Sequence, residues 1–271
     1  MIQRTFYLIL SAFLLLSAAC TETVSNARQE QEQPEIFPDY VDVTVPSAIA
    51  PLNFCMSDES ALLVDAVITD GKGHQLHGQG KETTDFDLDD WHQLLADNEG
   101  GTLTVTVSAK LSDGWHTYQP FNIIVSKDQI DYGVAYRKLE PGYEVYSKMG
   151  IYERNLSNFE ETPLLENTQF QGCVNCHSFN RGNPTDMSLH IRGDHSATLL
   201  RLNGHMDAYN TATTETLGSC VYPYWHPEGR YIAYSTNNTR QVFHIRNANR
   251  IEVFDGASDL LVYDTKTNEL I

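Results

Sequence analysis

Tyr222-Pro-Tyr-Trp225-His-Pro227-Glu-Gly229-Arg-Tyr231-Ile-Ala-Tyr-Ser235 decides the fold class. Pro227 and Gly229 are turn residues: proline presets φ, and glycine accepts positive φ without a Cβ clash. Tyr231-Ile-Ala-Tyr234 then supplies the aromatic and β-branched side chains of a strand. Two further strands are expected after it, at Gln241 to Ile245 and at Leu260-Leu-Val-Tyr263. Upstream, Leu103, Val105, Val107 and Ala109 alternate with Thr and Ser, the pattern of a half-buried strand. Leu62 to Ile68, ended by Asp70-Gly71, and Asn122 to Val125 read the same way. One short helix is expected, capped within Asp87-Leu-Asp-Asp90, carrying Trp91, Leu94 and Leu95 and stopping at Gly100-Gly101. The chain is therefore mainly β.

Residues 1–19 read as a signal peptide: Arg4, an apolar run from Phe6 to Leu16, then Ser17, Ala18 and Ala19 before Cys20. The run is too short for a comfortable membrane span. Leu-Ser-Ala-Ala-Cys20 resembles a bacterial lipobox, which makes Cys20 the lipidated first residue and the lipid the expected membrane contact. Residues 20–38 are polar and end in Pro34 and Pro38, a flexible tether. Residues 39–128 form an antiparallel β-sandwich-like domain. Residues 129–172 form a Tyr-rich connector with poor periodicity, holding Tyr132, Tyr136, Tyr143, Tyr146 and Tyr152 around a Pro141-Gly142 turn. Residues 173–271 hold the motif described next and further strands.

The net charge of −18 repels phosphate backbones and argues against nucleic acid as a partner. His74 and His77 sit in a Gly-rich hairpin and read as solvated turn residues. Cys55 and Cys220 are either a disulfide, which export permits, or two separate thiols.

Cys173-Val-Asn-Cys176-His177 is the attachment signature of c-type haem. On a helical turn, two thiols three residues apart can reach the two vinyl groups of one porphyrin, and His177 can meet the iron. Such attachment occurs outside the cytoplasm, where the signal peptide sends the chain. A redox thiol pair and a zinc site completed by His190 and His195 are the alternatives. For the distal iron ligand, Met187, His190, His195, His205 and Met206 are candidates. In Met187-Ser-Leu-His-Ile-Arg192 the strand period places Met187, Leu189 and Ile191 on a core face. Ser188, His190 and Arg192 take the other face, so His190 leads, ahead of His195. Arg192 would then meet a haem propionate.

The 222–235 stretch is similar to the repeat of TolB-type β-propellers over about 14 residues. With the segment from Cys173 to His195, it resembles exported bacterial propeller lipoproteins that carry a Cys-x-x-Cys-His motif. The resemblance implies that Trp225 wedges between blades and that His226 is structural. After His177 the chain has room for about two blades, so the propeller is expected to be truncated, or completed by another chain. The expected function is an electron-transfer or redox role for a lipid-anchored outer-membrane protein facing periplasm or surface, with a redox or envelope protein as partner. A non-enzymatic interaction module is the alternative. No Ser-His-Asp set, paired carboxylates or phosphate loop points to an enzyme.

Overall fold

The computed structural model describes residues 22–139, 148–170, 172–246 and 251–271. The signal segment, Cys20, Pro141, Gly142, Tyr143 and Tyr146 lie outside the described residues. The chain divides into two compact units, one ending at Tyr132 but including Asn155–Phe159, the other Gly133–Arg154 with Glu160–Ile271. Both are built mainly of strands.

The first unit contains β1 (Arg28–Gln29), β2 (Ile36–Phe37), β3 (Thr44–Pro46), β4 (Cys55–Met56), β5 (Leu63–Thr69) and β6 (Gln75–Gly80). Helix α1 (Leu88–Ala96) follows, then β7 (Thr102–Leu111), β8 (Gly114–Thr117) and β9 (Phe121–Ser126). β5 and β7 are the central antiparallel pair of a seven-stranded sheet. Its core face carries the alternating residues expected from the sequence: Val64, Ala66 and Ile68 of β5, and Leu103, Val105, Val107 and Ala109 of β7, all essentially buried. The expected sandwich partner is not a second large sheet. α1 and the two-stranded β2–β4 sheet contribute Trp91, Leu94, Leu95, Ile36 and Met56 to the same cluster. Asp87 caps α1 by accepting from the backbone N–H groups of Asp89 and Asp90. The fully buried Trp91 donates its indole N–H to the Ile49 carbonyl at 2.8 Å.

The polar run before Pro38 differs from the flexible tether expected. β1 pairs in parallel with β8, and Ile36 is buried in the unit's core. His116 fixes this edge: its Nδ1 lies 2.7 Å from Glu30 and its Nε2 2.9 Å from Asp113, and both carboxylates raise its pKa. Few apolar residues mark this segment because it is held by backbone pairing and charge rather than by burial.

The second unit contains three sheets, each following the chain. β10 (Gly133–Leu139), β11 (Met149–Asn155) and β12 (Glu161–Glu166) form the first, where a connector was expected. A single 3-10 turn, Asn167–Gln169, leads on. The second sheet is β13 (Cys173–Asn180), β14 (Asn183–Arg192), β15 (Ala197–Leu202) and β16 (His205–Tyr209). The third is β17 (Val221–Trp225), β18 (Tyr231–Phe243), β19 (Ile251–Asp264) and β20 (Glu269–Leu270). The latter two are four-stranded antiparallel meanders whose first strands, β13 and β17, pack together. Two of the strands expected near the end, at Tyr231 and at Gln241, are one continuous strand, β18.

Apolar clusters lie between consecutive sheets. Met149 and Ile151 of β11 meet Val174 of β13 and Met187, Leu189 and Ile191 of β14. Leu200 of β15 meets Cys220, Trp225, Ile232, Tyr234 and Tyr263. Trp225 donates its indole N–H to the Ser178 carbonyl at 3.1 Å, so it stands between the second and third sheets. The turn after it is tightened by Gly229 at φ 75°, where a Cβ would meet Asn180 at 2.6 Å. Arg230 clamps Asp264 with two nitrogens, the shorter contact 2.6 Å, and holds the Asp264 carboxyl down at about 2.

Replacing Trp91 with Ala removes a fully buried indole and leaves the Ile49 carbonyl without its donor. The expected loss is about 3–5 kcal/mol in urea unfolding, against about 1 kcal/mol for Asp87→Ala at the helix cap.

Candidate functional site

The Cys-x-x-Cys-His motif lies on strand β13, not on the helical turn expected. The strand has a local reason to depart from regularity. Asn175 pairs with His190 and Ser178 with Ser188, so Cys176 and His177 together oppose the single residue Leu189. This is a β-bulge, and Cys176 occupies its left-handed position at φ 54°. In a regular strand, thiols three residues apart point to opposite faces. The bulge interrupts that alternation within the motif.

His177 lies on the face of the sheet that packs against β10–β12. Its ring meets Phe179 edge-on at 6.3 Å between centroids, and Phe179 and Cys173 both pack on the cluster of Met149, Ile151 and Val174. Burial lowers the pKa of His177, Arg137 adds to the effect, and a hydrogen bond to the backbone of Ala135 opposes it. Burial thus favours the neutral ring, with the Ala135 backbone of β10 beside it. Cys173 is half-buried, Cys176 is buried, and both are free thiols.

His190 lies on the opposite face of the same sheet. Ser188, two residues before it, meets the Tyr234 hydroxyl of β18 at 2.7 Å. His190 Nδ1 is 3.3 Å from Thr198 Oγ1, and that hydroxyl donates to the Cys220 carbonyl at 3.0 Å. With its proton committed, Thr198 accepts, so Nδ1 carries the proton of His190. Burial and Arg192 push the His190 pKa down to about 4. His177 and His190 are sheet neighbours whose imidazoles face opposite ways and do not converge on one point.

The other candidates are scattered. His195 is exposed in the turn after β14, and His205 is exposed beside Asp207 at 3.4 Å. Met187 is buried in the core cluster, as the strand period predicts, and Met206 is exposed. The zinc set Cys173, Cys176, His190 and His195 is not assembled, and no three His, Cys, Asp or Glu side chains gather around one point among the described residues. A redox thiol pair at a helix start is also not formed, because the motif lies within a strand. Cys55 and Cys220 are unbridged thiols. His74 and His77 are bound to separate carboxylates, Asp70 at 2.8 Å and Asp65 at 2.5 Å. His226 accepts from the Glu228 backbone N–H at 3.2 Å, a turn contact.

Two unbridged thiols and one imidazole whose pKa is lowered by burial thus lie on a single strand. Sequence reasoning missed the role of Ala135. A backbone carbonyl on a distant strand leaves no mark in side-chain pattern. Comparison with protein-family models, with curated proteins and with solved structures finds no match to this chain.

The buried His190 and the half-buried His177, both with lowered pKa values, bind fewer protons when folded than when unfolded. Stability contributed by their neutral forms is present above the unfolded value of about 6.5 and is lost as pH falls from there toward about 4. Urea midpoints measured across that range should fall with pH, and His190→Gln should flatten the slope. In NMR titrations both imidazoles should show midpoints below the ordinary histidine value.

Proposed function

We propose that the protein is an exported, lipid-anchored c-type haem protein with an electron-transfer or redox role at the outer membrane. Its second unit is read as part of a TolB-type β-propeller. The observation that carries the haem reading is His177: half-buried, with its neutral form favoured, and next in sequence to the two unbridged thiols of the attachment signature. Cys173 and Cys176 would hold the porphyrin as thioethers, and His177 would be the proximal iron ligand. The bound haem would supply one-electron transfer. The chain's own part would be to present a ring whose neutral form burial favours, on a strand that also packs Val174 against Met149 and Ile151. No distal ligand is assigned, since His190 faces away from His177. The propeller reading is supported by consecutive four-stranded meanders with adjacent first strands and by Trp225 standing between two sheets. Lipid on Cys20 would attach the protein to the membrane.

A second reading, an envelope interaction module, is favoured by the long β18–β19 hairpin. Phe243, Val253, Phe254 and Leu260 are exposed along it, an unusual density of apolar surface for one hairpin. In that reading the motif carries no haem and a partner protein covers the hairpin.

The two readings separate on haem content. Expression with a c-type maturation system should give a pyridine haemochrome spectrum and a haem-stained band on a denaturing gel. Cys176→Ala should lose the covalent band, and His177→Ala should disturb the low-spin spectrum. A folded protein without haem would overturn the cytochrome reading and leave the interaction module.

A further inference from the structure

We propose that a cleft on the His190 face of the second unit binds a short oligosaccharide carrying carboxylates, of the uronic acid class. The cleft has a volume of about 460 Å³ and lies between the second and third sheets. That size is within the usual span of small-ligand sites, about 300–1,000 Å³. Its lining is not usual. Drug-like ligands are held mostly by apolar walls, whereas this floor is a row of neutral polar side chains.

Ser235, Asn237, Thr239 and Gln241 line the cleft from alternate positions of β18. The strand period puts all four on one face, with successive members about 6.6 Å apart. Such a row offers amide donors and acceptors and hydroxyl groups over an extended length. It matches a chain of sugar hydroxyls, each of which both donates and accepts. It does not match an aliphatic or aromatic ligand, which would leave every one of these groups desolvated and unpaired.

Three further residues define the ligand more closely. His190 is built in: it is only 3% exposed, and its proton is committed to Thr198. Its Nε2 is therefore an oriented acceptor for a hydroxyl. Arg192 lines the same cleft and forms no ion pair among the described residues. A guanidinium left without a carboxylate, in a chain of net charge −18, is the natural partner of a ligand carboxylate. Tyr222, with its backbone at φ 51° and its ring exposed, offers an aromatic face at the rim. Asp255 in the same lining accepts from ligand hydroxyls and opposes any anionic group placed away from Arg192, which limits the ligand to carboxylate that can sit at the guanidinium.

The cleft uses the opposite face of the sheet from His177, so this inference stands whether or not haem is bound. Titration calorimetry of the purified chain with tri-galacturonate and tri-mannuronate, each also as its uncharged methyl ester, tests it. At least one acid should bind, and its ester should bind about tenfold or more weakly, the ordinary worth of a hydrogen bond to a charged group. Arg192→Gln should abolish that difference while the ester's affinity is kept. Asn237→Ala with Gln241→Ala should weaken acid and ester alike. Both sets of substitutions are on exposed or half-buried positions, and an unchanged circular dichroism spectrum checks the fold. No heat with any of the four probes, equal affinity for acid and ester, or displacement of the acid by sulfate at the same concentration would each overturn the proposal. Loss of haem with saccharide binding intact would count against the cytochrome reading alone.

Discussion

Residues 187–191 of β14 are buried on both faces of the sheet, and the second unit is organised around that constraint. A strand that faces solvent on one side can leave its polar residues to water. β14 cannot, because Met187, Leu189 and Ile191 pack toward β11 while Ser188 and His190 face the third sheet. Each buried polar group then needs a partner, since leaving one unpaired costs about 1–3 kcal/mol. Ser188 finds the Tyr234 hydroxyl, and His190 finds Thr198. Those two contacts fix how the second and third sheets meet on that face, just as the apolar residues fix the first against the second. The Tyr234 phenol, pushed far up by burial, stays protonated at every ordinary pH, so the contact persists.

The same constraint explains why the chemistry is divided. The bulge holds Cys176 and His177, and the imidazole lies beside the Ala135 backbone of β10. The cleft belongs to the other face, where the cross-strand pair of Asn175 and His190 lies. One sheet thus separates the bulge at Cys176 and His177 from a hydroxyl and amide set suited to a polar ligand. An arrangement in which His177 and His190 shared one iron would require β14 to turn its polar face through the core cluster. The buried Leu189 and Ile191 oppose that at about 1.5–3 kcal/mol each.

Much of this was legible in the residues. The alternation in β5, β7 and β14, the Asp87 cap and the buried Trp91 all follow from short-range pattern, because each is set locally. What was not legible depends on partners remote in sequence. Ser188 and His190 read as an outer face because only the third sheet, added later in the chain, covers them. β18 reads as two strands because residues 235–240 are polar, and Ser235, Asn237 and Thr239 among them line the cleft. The bulge carries no glycine to announce it: Cys176 adopts a left-handed backbone without the residue type that usually marks one. β10 to β12 read as a connector because most of their side chains are partly exposed and pair as Tyr136, Lys138 and Glu161 or Tyr152 and Glu166 rather than as apolar alternation.

A left-handed non-glycine residue is held only where its surroundings over-determine it, at about 1–3 kcal/mol. Around Cys176 the determinants are Val174 locked in the core before it, and Ser178 locked after it by the Trp225 indole. Two fixed points with one residue too many between them force the strand outward at Cys176 and His177. The position of the motif is therefore a consequence of sheet packing rather than of a helical turn, and a c-type haem here would sit on a strand whose irregularity the rest of the unit enforces. The Trp225 indole on Ser178 thus gives the third sheet a part in the geometry at which Cys176 and His177 are presented.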